Sequence, residues 1–422
     1  MKRNDSWLGS TAGSSYSRRS HYRDSGPSLA GLSRVIMVLV VLVIIVSVIQ
    51  LIRPVPLPKA QDTISNTVIP GTPPSLPWPS QGGGEVEIQN VGTIGSFNVN
   101  EQLPLASTAK IVTALVIVKD HPLSLGSTGP TIAVTSADAA TYQSMLGQQD
   151  SVMAVASGEN LTEYQLLEAL LIPSADNIAV KLAIWDAGSV SAFVTKMNAM
   201  AKSLGMTHTV FKDPSGLDTG TVGSAGDEVQ AALALLKNPV LSKIVSMPQA
   251  TLPIVGVVYN VNYNVGHDGF VGIKTGSIGN GANLVFAATG VGSKDLIVGA
   301  ILGQSGVQPL NAALAESTKL VNAARKVPGD FSVLKKGQEV GLIDAPGVQP
   351  IPIDAAQALS FTGWSGLHVN YTAKFLPLKG QVAKGAKVGT LTVSVGDQSQ
   401  TASLIATKAV RSPSVAWRLK RL

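Results

Sequence analysis

The 422-residue chain contains no cysteine, and this absence excludes several kinds of chemistry. Without cysteine there are no disulfide bonds, no thiolate metal ligands and no cysteine nucleophile. Histidine is scarce as well, because the five histidines are scattered and no two of them stand four residues apart. A metal site built from histidine is therefore not expected. The composition leaves a Ser-His-Asp triad open, but no local pattern marks its histidine.

Charge is also sparse, at 14% of residues against about a quarter in typical soluble domains. The net charge of +6 comes mostly from residues 1–34, which contain six basic and two acidic residues and so carry a net charge of +4. The remainder has no basic surface interleaved with aromatic residues, so nucleic-acid binding is not expected.

One long run without charge stands between residues 35 and 52, VIMVLVVLVIIVSVIQLI. A helix of roughly 20 apolar residues crosses a bilayer, whereas a cleaved signal has an apolar stretch of only about 7–15. No A-x-A cleavage site follows the run. The sequence therefore predicts an uncleaved transmembrane signal-anchor at 35–52. The basic residues before it predict a cytoplasmic N-terminus, with residues 1–34 as a disordered tail, and they place the chain from about Arg53 onward outside the cell membrane.

The rest of the chain divides by composition. Residues 53–84 hold eight prolines followed by three glycines, which predicts an extended linker. Residues 85–326 carry strand patterns at both ends and helical patterns between them, which predicts an α+β fold with an antiparallel sheet. Residues 328–410 alternate short strands with Gly and Pro turns, as in a small all-β domain. A basic tail, 411–422, closes the chain.

A serine and a lysine open an apolar run in LASTAKIVTALVIV. Ser107 and Lys110 are three residues apart and therefore share one face of a helix. A serine hydroxyl needs a base to become a nucleophile, and a lysine serves as that base when burial lowers its pKa. The apolar neighbours Ile111, Val112 and Leu115 favour such burial. The alternative is that Ser107 only caps the helix beside a solvated lysine.

Two further segments carry similar chemistry. IPSADN places Ser174 in a break between two helical patterns, where it is either a proton relay or a helix cap. GIKTGS ends a predicted strand with Lys274 and Thr275, followed by Gly276, which permits close backbone approach. The alternative for GIKTGS is a strand-to-turn connection with an ordinary surface lysine.

The motifs Ser-x-x-Lys, Ser-x-Asn and Lys-Thr-Gly, in this order, define the penicillin-recognising serine enzymes. The three segments of this chain follow the same order. The chain resembles their D-Ala-D-Ala carboxypeptidase branch, the low-molecular-mass penicillin-binding proteins, over about residues 85–325. The β-rich end is similar to the β domain that often follows in these enzymes. The resemblance implies the penicillin-binding-protein/β-lactamase-like transpeptidase fold, α+β with an antiparallel sheet. It implies a small all-β domain after this fold, and the apolar run adds one transmembrane helix before it.

The resemblance also implies an activity and its residues. The substrate would be a peptidoglycan stem pentapeptide that ends in D-Ala-D-Ala, β-lactam antibiotics would acylate the same serine, and no metal or cofactor would take part. The implied roles are nucleophile for Ser107, general base for Lys110, proton relay for Ser174, binding of the terminal carboxylate for Lys274 and Thr275, close approach at Gly276, and oxyanion-hole N–H groups from Ser107 and Ser277.

One departure from the family pattern stands two residues after the second-motif serine, where Asp176 replaces the usual Asn and Asn177 follows. We expect Asn177 to take the amide role while Asp176 points away. Otherwise, Lys110 or Lys274 holds Asp176 and deacylation is slow. The departure also supports a non-catalytic peptidoglycan-binding module. A β-lactamase is less consistent with the sequence, which has no Glu-x-x-Leu-Asn segment between the motifs, whereas endopeptidase and transpeptidase activities stay open.

Overall fold

The structure, a computed structural model, describes residues 29–290 and 295–421. The helices are α1 Leu29–Ile52, α2 Lys110–Asp120, α3 Ser136–Gly147, α4 Glu163–Leu171, α5 Asp176–Ala187, α6 Val190–Ser203, α7 Ala225–Lys237, α8 Pro239–Val245, α9 Pro309–Ala324 and α10 Val415–Lys420, with a 3-10 helix at Ala106–Ala109. The strands are β1 Lys59–Asp62, β2 Thr67–Val68, β3 Gly83–Ile88, β4 Gly92–Phe97, β5 Leu103–Pro104, β6 Thr131–Ala133, β7 Asn160–Thr162, β8 Val222–Gly223, β9 Gln249–Leu252, β10 Gly256–Tyr259, β11 Phe270–Ile278, β12 Gly281–Thr289, β13 Leu296–Ser305, β14 Gly329–Leu334, β15 Glu339–Asp344, β16 Ile351–Ala355, β17 Leu359–Gly363, β18 His368–Phe375, β19 Lys387–Val395 and β20 Gln398–Ala406.

The apolar N-terminal run forms one continuous helix, α1. Its 24 residues span about 36 Å, enough for a hydrocarbon layer of about 30 Å, and its apolar side chains from Val35 to Val46 are exposed. This helix is consistent with membrane anchoring. It begins at Leu29, so the prediction of a disordered tail up to residue 34 is wrong for residues 29–34, while residues 1–28 lie outside the described part.

The α+β body is built on a five-stranded antiparallel sheet in the order β11-β12-β13-β3-β4. Strands from both ends of the body therefore meet in one sheet, which confirms the α+β prediction. On β12, Val285 and Ala287 enter the core shared with the helical cluster, while Leu284 and Phe286 enter a second core beneath α9. Because successive strand residues point to opposite faces, an almost continuous apolar run fills two layers.

The helical cluster covers one face of the sheet, with α2 at its centre. All residues of α2 from Lys110 to Val118 are buried, which explains its uninterrupted apolar sequence. The neighbouring helix α4 begins with the predicted capping box, in which Thr162 and Gln165 exchange side-chain-to-backbone hydrogen bonds. The capping box fixes the start of α4, and the second motif lies in the short turn between the end of α4 and the start of α5.

The C-terminal strands form a seven-stranded sheet in the order β1-β15-β16-β20-β19-β18-β2, and the predicted β19–β20 hairpin turns at residues 396–397. Its two edges come from the segment predicted to be a linker: β1 pairs with β15, and β2 pairs with β18. The prediction of an extended linker at 53–84 is therefore wrong. Residues 59–69 contain no proline, so their backbone N–H groups are available for short edge strands, and Ile69 and Leu76 are buried.

The basic end of the chain is also ordered as a helix up to residue 420. Arg418 donates a hydrogen bond to the Leu51 carbonyl (3.2 Å), and Arg421 donates to the Pro54 carbonyl (3.1 Å). These side chains satisfy carbonyl groups at and beyond the end of α1, which a helix leaves without partners. The basic tail therefore packs against the end of the apolar helix.

Candidate active site

The first motif lies where the 3-10 helix runs into α2. Ser107 is half-buried, while its neighbours Ala106 and Thr108 are fully packed. Lys110 follows one turn later, and its Nζ lies 2.6 Å from the Ser107 Oγ. Ala106 has a φ of +51°, a left-handed conformation that costs a non-glycine residue free energy and that often occurs at functional sites. The motif therefore brings a hydroxyl and an amine into direct contact at the surface of the core.

The Lys110 amine lies in the protein interior, with 0% of the residue exposed. Burial lowers the pKa of this lysine, because removal from water disfavours the charged ammonium, although the nearby Asp176 carboxyl raises it. The amine contacts Ser107, Ser174 and Asp176, at 2.6, 3.4 and 2.5 Å. It is therefore the centre of the polar cluster.

The second motif connects the first motif to the third. Ser174 lies in the short turn between α4 and α5 with a φ of +69°, and it is 4% exposed. Its Oγ accepts a hydrogen bond from the Lys274 Nζ at 2.9 Å and lies 3.4 Å from the Lys110 Nζ. The hydroxyl thus bridges the two lysines, a position from which it can pass a proton between groups.

Lys274 and Thr275 project from the middle of β11. Lys274 is 1% exposed and also donates to the Thr275 carbonyl at 3.0 Å. Burial and the nearby Lys110 lower the pKa of Lys274 well below its ordinary value, against an opposing effect of Asp176. The Thr275 hydroxyl makes no hydrogen bond to residues 29–290 or 295–421, so it is free to bind another group.

Gly276 and Ser277 continue β11 past the nucleophile. A Cβ on Gly276 would lie 2.8 Å from the Leu105 carbonyl oxygen and 3.1 Å from the Ser107 nitrogen, closer than real side chains approach. Only glycine therefore lets this strand lie against the backbone of Ser107. Ser277 is the exposed residue that follows this contact on β11.

The prediction that Asn177 takes the amide role while Asp176 points away is wrong in this structure. The Asn177 side chain exchanges two hydrogen bonds with the Met153 backbone, at 3.0 and 2.9 Å, and turns away from the serine. Asp176 instead points into the cluster, 2.5 Å from the Lys110 Nζ. The reason is helix geometry: successive residues at the start of α5 point in different directions, and the Asn177 amide satisfies the backbone N–H and carbonyl of Met153 in the loop between α3 and β7. The carboxyl therefore occupies the position of the family's amide.

Two supporting groups were missed by the sequence reasoning. Asp213, in the turn after α6, accepts hydrogen bonds from the Ser215, Gly216 and Leu217 backbone N–H groups. A Cβ on Gly216 would lie 1.7 Å from the Ala106 oxygen, so this turn packs directly beneath the nucleophile. The only sequence signal was the segment Asp-Pro-Ser-Gly, whose composition is typical of a turn.

The second supporting group is Asn283 on β12. Its amide donates to the Pro104 and Leu105 carbonyls, both at 2.8 Å, and its oxygen accepts from the Gly303 N–H at 2.8 Å. It thereby ties the start of the 3-10 helix to the central sheet. No pattern in the sequence distinguished this residue from its apolar neighbours.

These contacts define a class: an active-serine hydrolase in which a buried lysine activates the nucleophile and an acyl-enzyme forms. Among the described residues, no group of three or more His, Asp or Glu could hold a metal ion. Residues 88–305, just over half of the chain, match the peptidase S11 family of D-alanyl-D-alanine carboxypeptidases. The chain therefore belongs to this family, which confirms the resemblance drawn from the motifs.

Individual relatives agree with this assignment. The chain is 28% identical to D-alanyl-D-alanine carboxypeptidase DacF of Bacillus subtilis over 326 residues, covering 74% of this chain and 80% of the relative. It is 30% identical to DacB2 of Mycobacterium tuberculosis over 241 residues, covering 55% and 78%. The fold superposes on penicillin binding protein 5 from Haemophilus influenzae with a TM-score of 0.58 and 20% identity, covering 81% of this chain and 100% of that chain.

Proposed function

We propose that the protein removes the terminal D-alanine from peptidoglycan stem pentapeptides through an acyl-enzyme on Ser107. The single observation that carries this proposal is the 2.6 Å contact between the Ser107 Oγ and the buried Lys110 Nζ. Membership of the D-alanyl-D-alanine carboxypeptidase family supports the same substrate class. The enzyme would thereby act in the synthesis and remodelling of the cell wall.

In the proposed reaction, Lys110 accepts the Ser107 proton as the oxygen attacks the carbonyl between the two D-alanines. The N–H groups of Ser107 and Ser277 stabilise the oxyanion, a contribution of about 3–4 kcal/mol when one such donor is removed from a comparable site. The proton passes through Ser174 to the nitrogen of the departing D-alanine, and water then hydrolyses the ester. The bridge between the two lysines at Ser174 supports this relay.

The same proposal assigns the terminal carboxylate to Lys274 and Thr275. The Lys274 amine and the free Thr275 hydroxyl at the end of the cluster suit a carboxylate, because both donate hydrogen bonds to ionised oxygens and a bound carboxylate favours the charged form of the lysine. A β-lactam carries an equivalent carboxylate next to its reactive carbonyl, so the same site would be acylated by penicillin. This assignment explains why the third motif combines a lysine with a threonine.

The competing functions have weaker support. A non-catalytic peptidoglycan-binding module would not need Ser107, Lys110 and Ser174 within hydrogen-bond reach. An endopeptidase or transpeptidase would use the same residues and would differ only in the leaving amine or the second acceptor. Assays with a cross-linked substrate and with an acceptor amine separate these activities from D-alanine release.

The test is D-alanine release from a pentapeptide by the full-length protein in detergent. We expect release by the wild type and a loss of at least about 10³-fold in Ser107→Ala, because the nucleophile is essential. Ser242→Ala is the matched control, since Ser242 is a half-buried serine on α8 without a side-chain hydrogen bond in the described part of the chain. Equal activity in Ser107→Ala and the wild type would contradict the proposal.

We further propose a single-pass arrangement with the N-terminus in the cytoplasm and the catalytic body outside the cell membrane, because the basic residues precede α1. Because the chain has no cysteine, a single introduced cysteine is the one thiol that a maleimide can label. A membrane-impermeant maleimide on intact cells should label Lys384→Cys, at an exposed site in the β domain, and spare Ser6→Cys. The opposite labelling pattern would mean that the orientation is reversed.

A further inference from the structure

The two oxygens of the Asp176 carboxyl have different surroundings. Its Oδ1 lies 2.5 Å from the Lys110 Nζ, whereas its Oδ2 makes no hydrogen bond to residues 29–290 or 295–421. This Oδ2 is not fully occluded and keeps contact with solvent at the site. An amide at this position would accept a hydrogen bond from the lysine with its oxygen and offer an N–H donor outward.

A carboxyl can perform both functions of an amide only when it is protonated. A neutral carboxyl accepts at one oxygen and donates from the other, whereas a carboxylate can only accept. Protonated Asp176 would therefore accept from Lys110 at Oδ1 and donate from Oδ2 to a substrate carbonyl. In shape and in hydrogen bonding, it would match the asparagine that the family has at this position.

The contacts of Lys110 fit the same arrangement. A neutral amine has two N–H donors and one lone pair, and the Nζ has three neighbours: Asp176 Oδ1, Ser174 Oγ and Ser107 Oγ. Donation to the first two leaves the lone pair for the Ser107 hydroxyl, which is the arrangement that a general base needs. A charged ammonium would instead use all three protons as donors and could not accept the serine proton.

Burial favours the neutral form of the pair, and the surrounding charges act in both directions. Burial raises the pKa of Asp176 and lowers the pKa of Lys110, since water is excluded from both. Lys274 faces the pair from β11, Asp150 from the loop after α3, and Asp213 from the turn after α6. Asp150 opposes ionisation of Asp176, whereas Lys274 favours it. Asp213 and Asp150 both favour protonation of Lys110, so the surroundings permit exchange of one proton within the pair.

We propose that Lys110 and Asp176 share one proton and that substrate binds the form with this proton on the Asp176 Oδ2. There the carboxyl donates to a backbone carbonyl on the acyl side of the stem peptide, and Lys110 is neutral. The Ser107 proton then moves to Lys110 on attack and onward to the amine of D-alanine, so no proton is gained or lost. This inference rests on the proposed function and names the residue that couples substrate recognition to the base.

The pH dependence of activity follows from this sharing. At low pH the pair binds a second proton, so Lys110 is charged and the base is lost. At high pH the pair loses its proton, so Asp176 is ionised and the donor is lost. In Asp176→Asn the donor cannot ionise, whereas Lys110 still gains a proton at low pH beside a neutral partner, as it does beside protonated Asp176. The variant should therefore keep activity at high pH better than the wild type, while both proteins lose activity alike at low pH.

The experiment compares kcat/KM for D-alanine release by the full-length wild type and Asp176→Asn across the pH range. We expect the ratio of variant to wild type to rise from its value at the optimum of the wild type towards high pH and not to rise towards low pH. Titration of Lys274 affects both proteins and largely cancels in the ratio. Asp176→Ala, which lacks donor and acceptor, should raise KM at least about tenfold, the cost of about 1.4 kcal/mol.

Two results would overturn the inference: a ratio that is flat or falls towards high pH, or an Asn variant that folds but loses acylation by penicillin. Infrared spectra of the wild type, with and without aspartate labelled with carbon-13, keep the inference testable if the variant does not fold. The C=O band of a protonated carboxyl should grow on ligand binding, and its absence would also contradict the sharing. Full activity in Ser107→Ala would refute the proposed function instead.

Discussion

Replacement of Gly276 by alanine tests whether β11 is held against the nucleophile. The added Cβ would lie 2.8 Å from the Leu105 oxygen and 3.1 Å from the Ser107 and Thr108 nitrogens, so strand and helix must separate by a few tenths of an ångström. Such overpacking costs about 1–3 kcal/mol of stability, or a few degrees in Tm. Displacement of an oxyanion-hole donor costs more in rate, about 10²–10³-fold.

The assay is the rate of acylation by a fluorescent penicillin, measured beside thermal unfolding. We expect Gly276→Ala to lose about 10²-fold in acylation rate and to stay folded at the assay temperature. Gly281→Ala is the matched control on the same hairpin, because its Cβ would meet the nearest atoms at ordinary distances of 3.5 and 3.9 Å. Acylation of Gly276→Ala at the wild-type rate would refute the close approach of the strand.

Two further predictions concern the support of the site. Asn283→Ala leaves the Pro104 and Leu105 carbonyls without their donor, so it should destabilise the protein by about 1–3 kcal/mol and slow acylation; unchanged denaturant unfolding and kinetics would contradict this. Glu228 is fully buried, and burial raises its pKa from 4.5 to about 8. Because the unfolded chain releases this proton first, stability should fall as pH rises through that window. The Tm of Glu228→Gln, measured by calorimetry, should therefore be higher than that of the wild type at pH 8 and equal to it near pH 4.5.

The elements that could be predicted from the sequence are those in which local pattern and tertiary packing agree. Thr162 and Gln165 define the start of α4 through neighbouring backbone groups, so their spacing is sufficient. The β19–β20 hairpin likewise follows from alternating residues around a two-residue turn. The three motifs could be found because each places its reactive side chains within a few residues of one another.

The segments that could not be predicted depend on partners far along the chain. Residues 59–62 and 67–68 become strands because β15 and β18, almost 300 residues later, offer free edges. The Asn177 side chain forms hydrogen bonds with the Met153 backbone, a contact that no pattern in the neighbouring sequence indicates. Asn283 likewise binds carbonyl groups that precede it by almost 180 residues. Propensity and periodicity describe neighbours, whereas these contacts depend on tertiary structure.

Covalent trapping tests the central claim most directly, because the whole account requires Ser107 to be the nucleophile beside Lys110. Incubation of the full-length protein with penicillin, followed by proteolysis and mass spectrometry, locates the adduct. The account predicts a single adduct on the peptide that contains Ser107, and none in Ser107→Ala. An adduct on any other serine, or an undiminished adduct in Ser107→Ala, would contradict it.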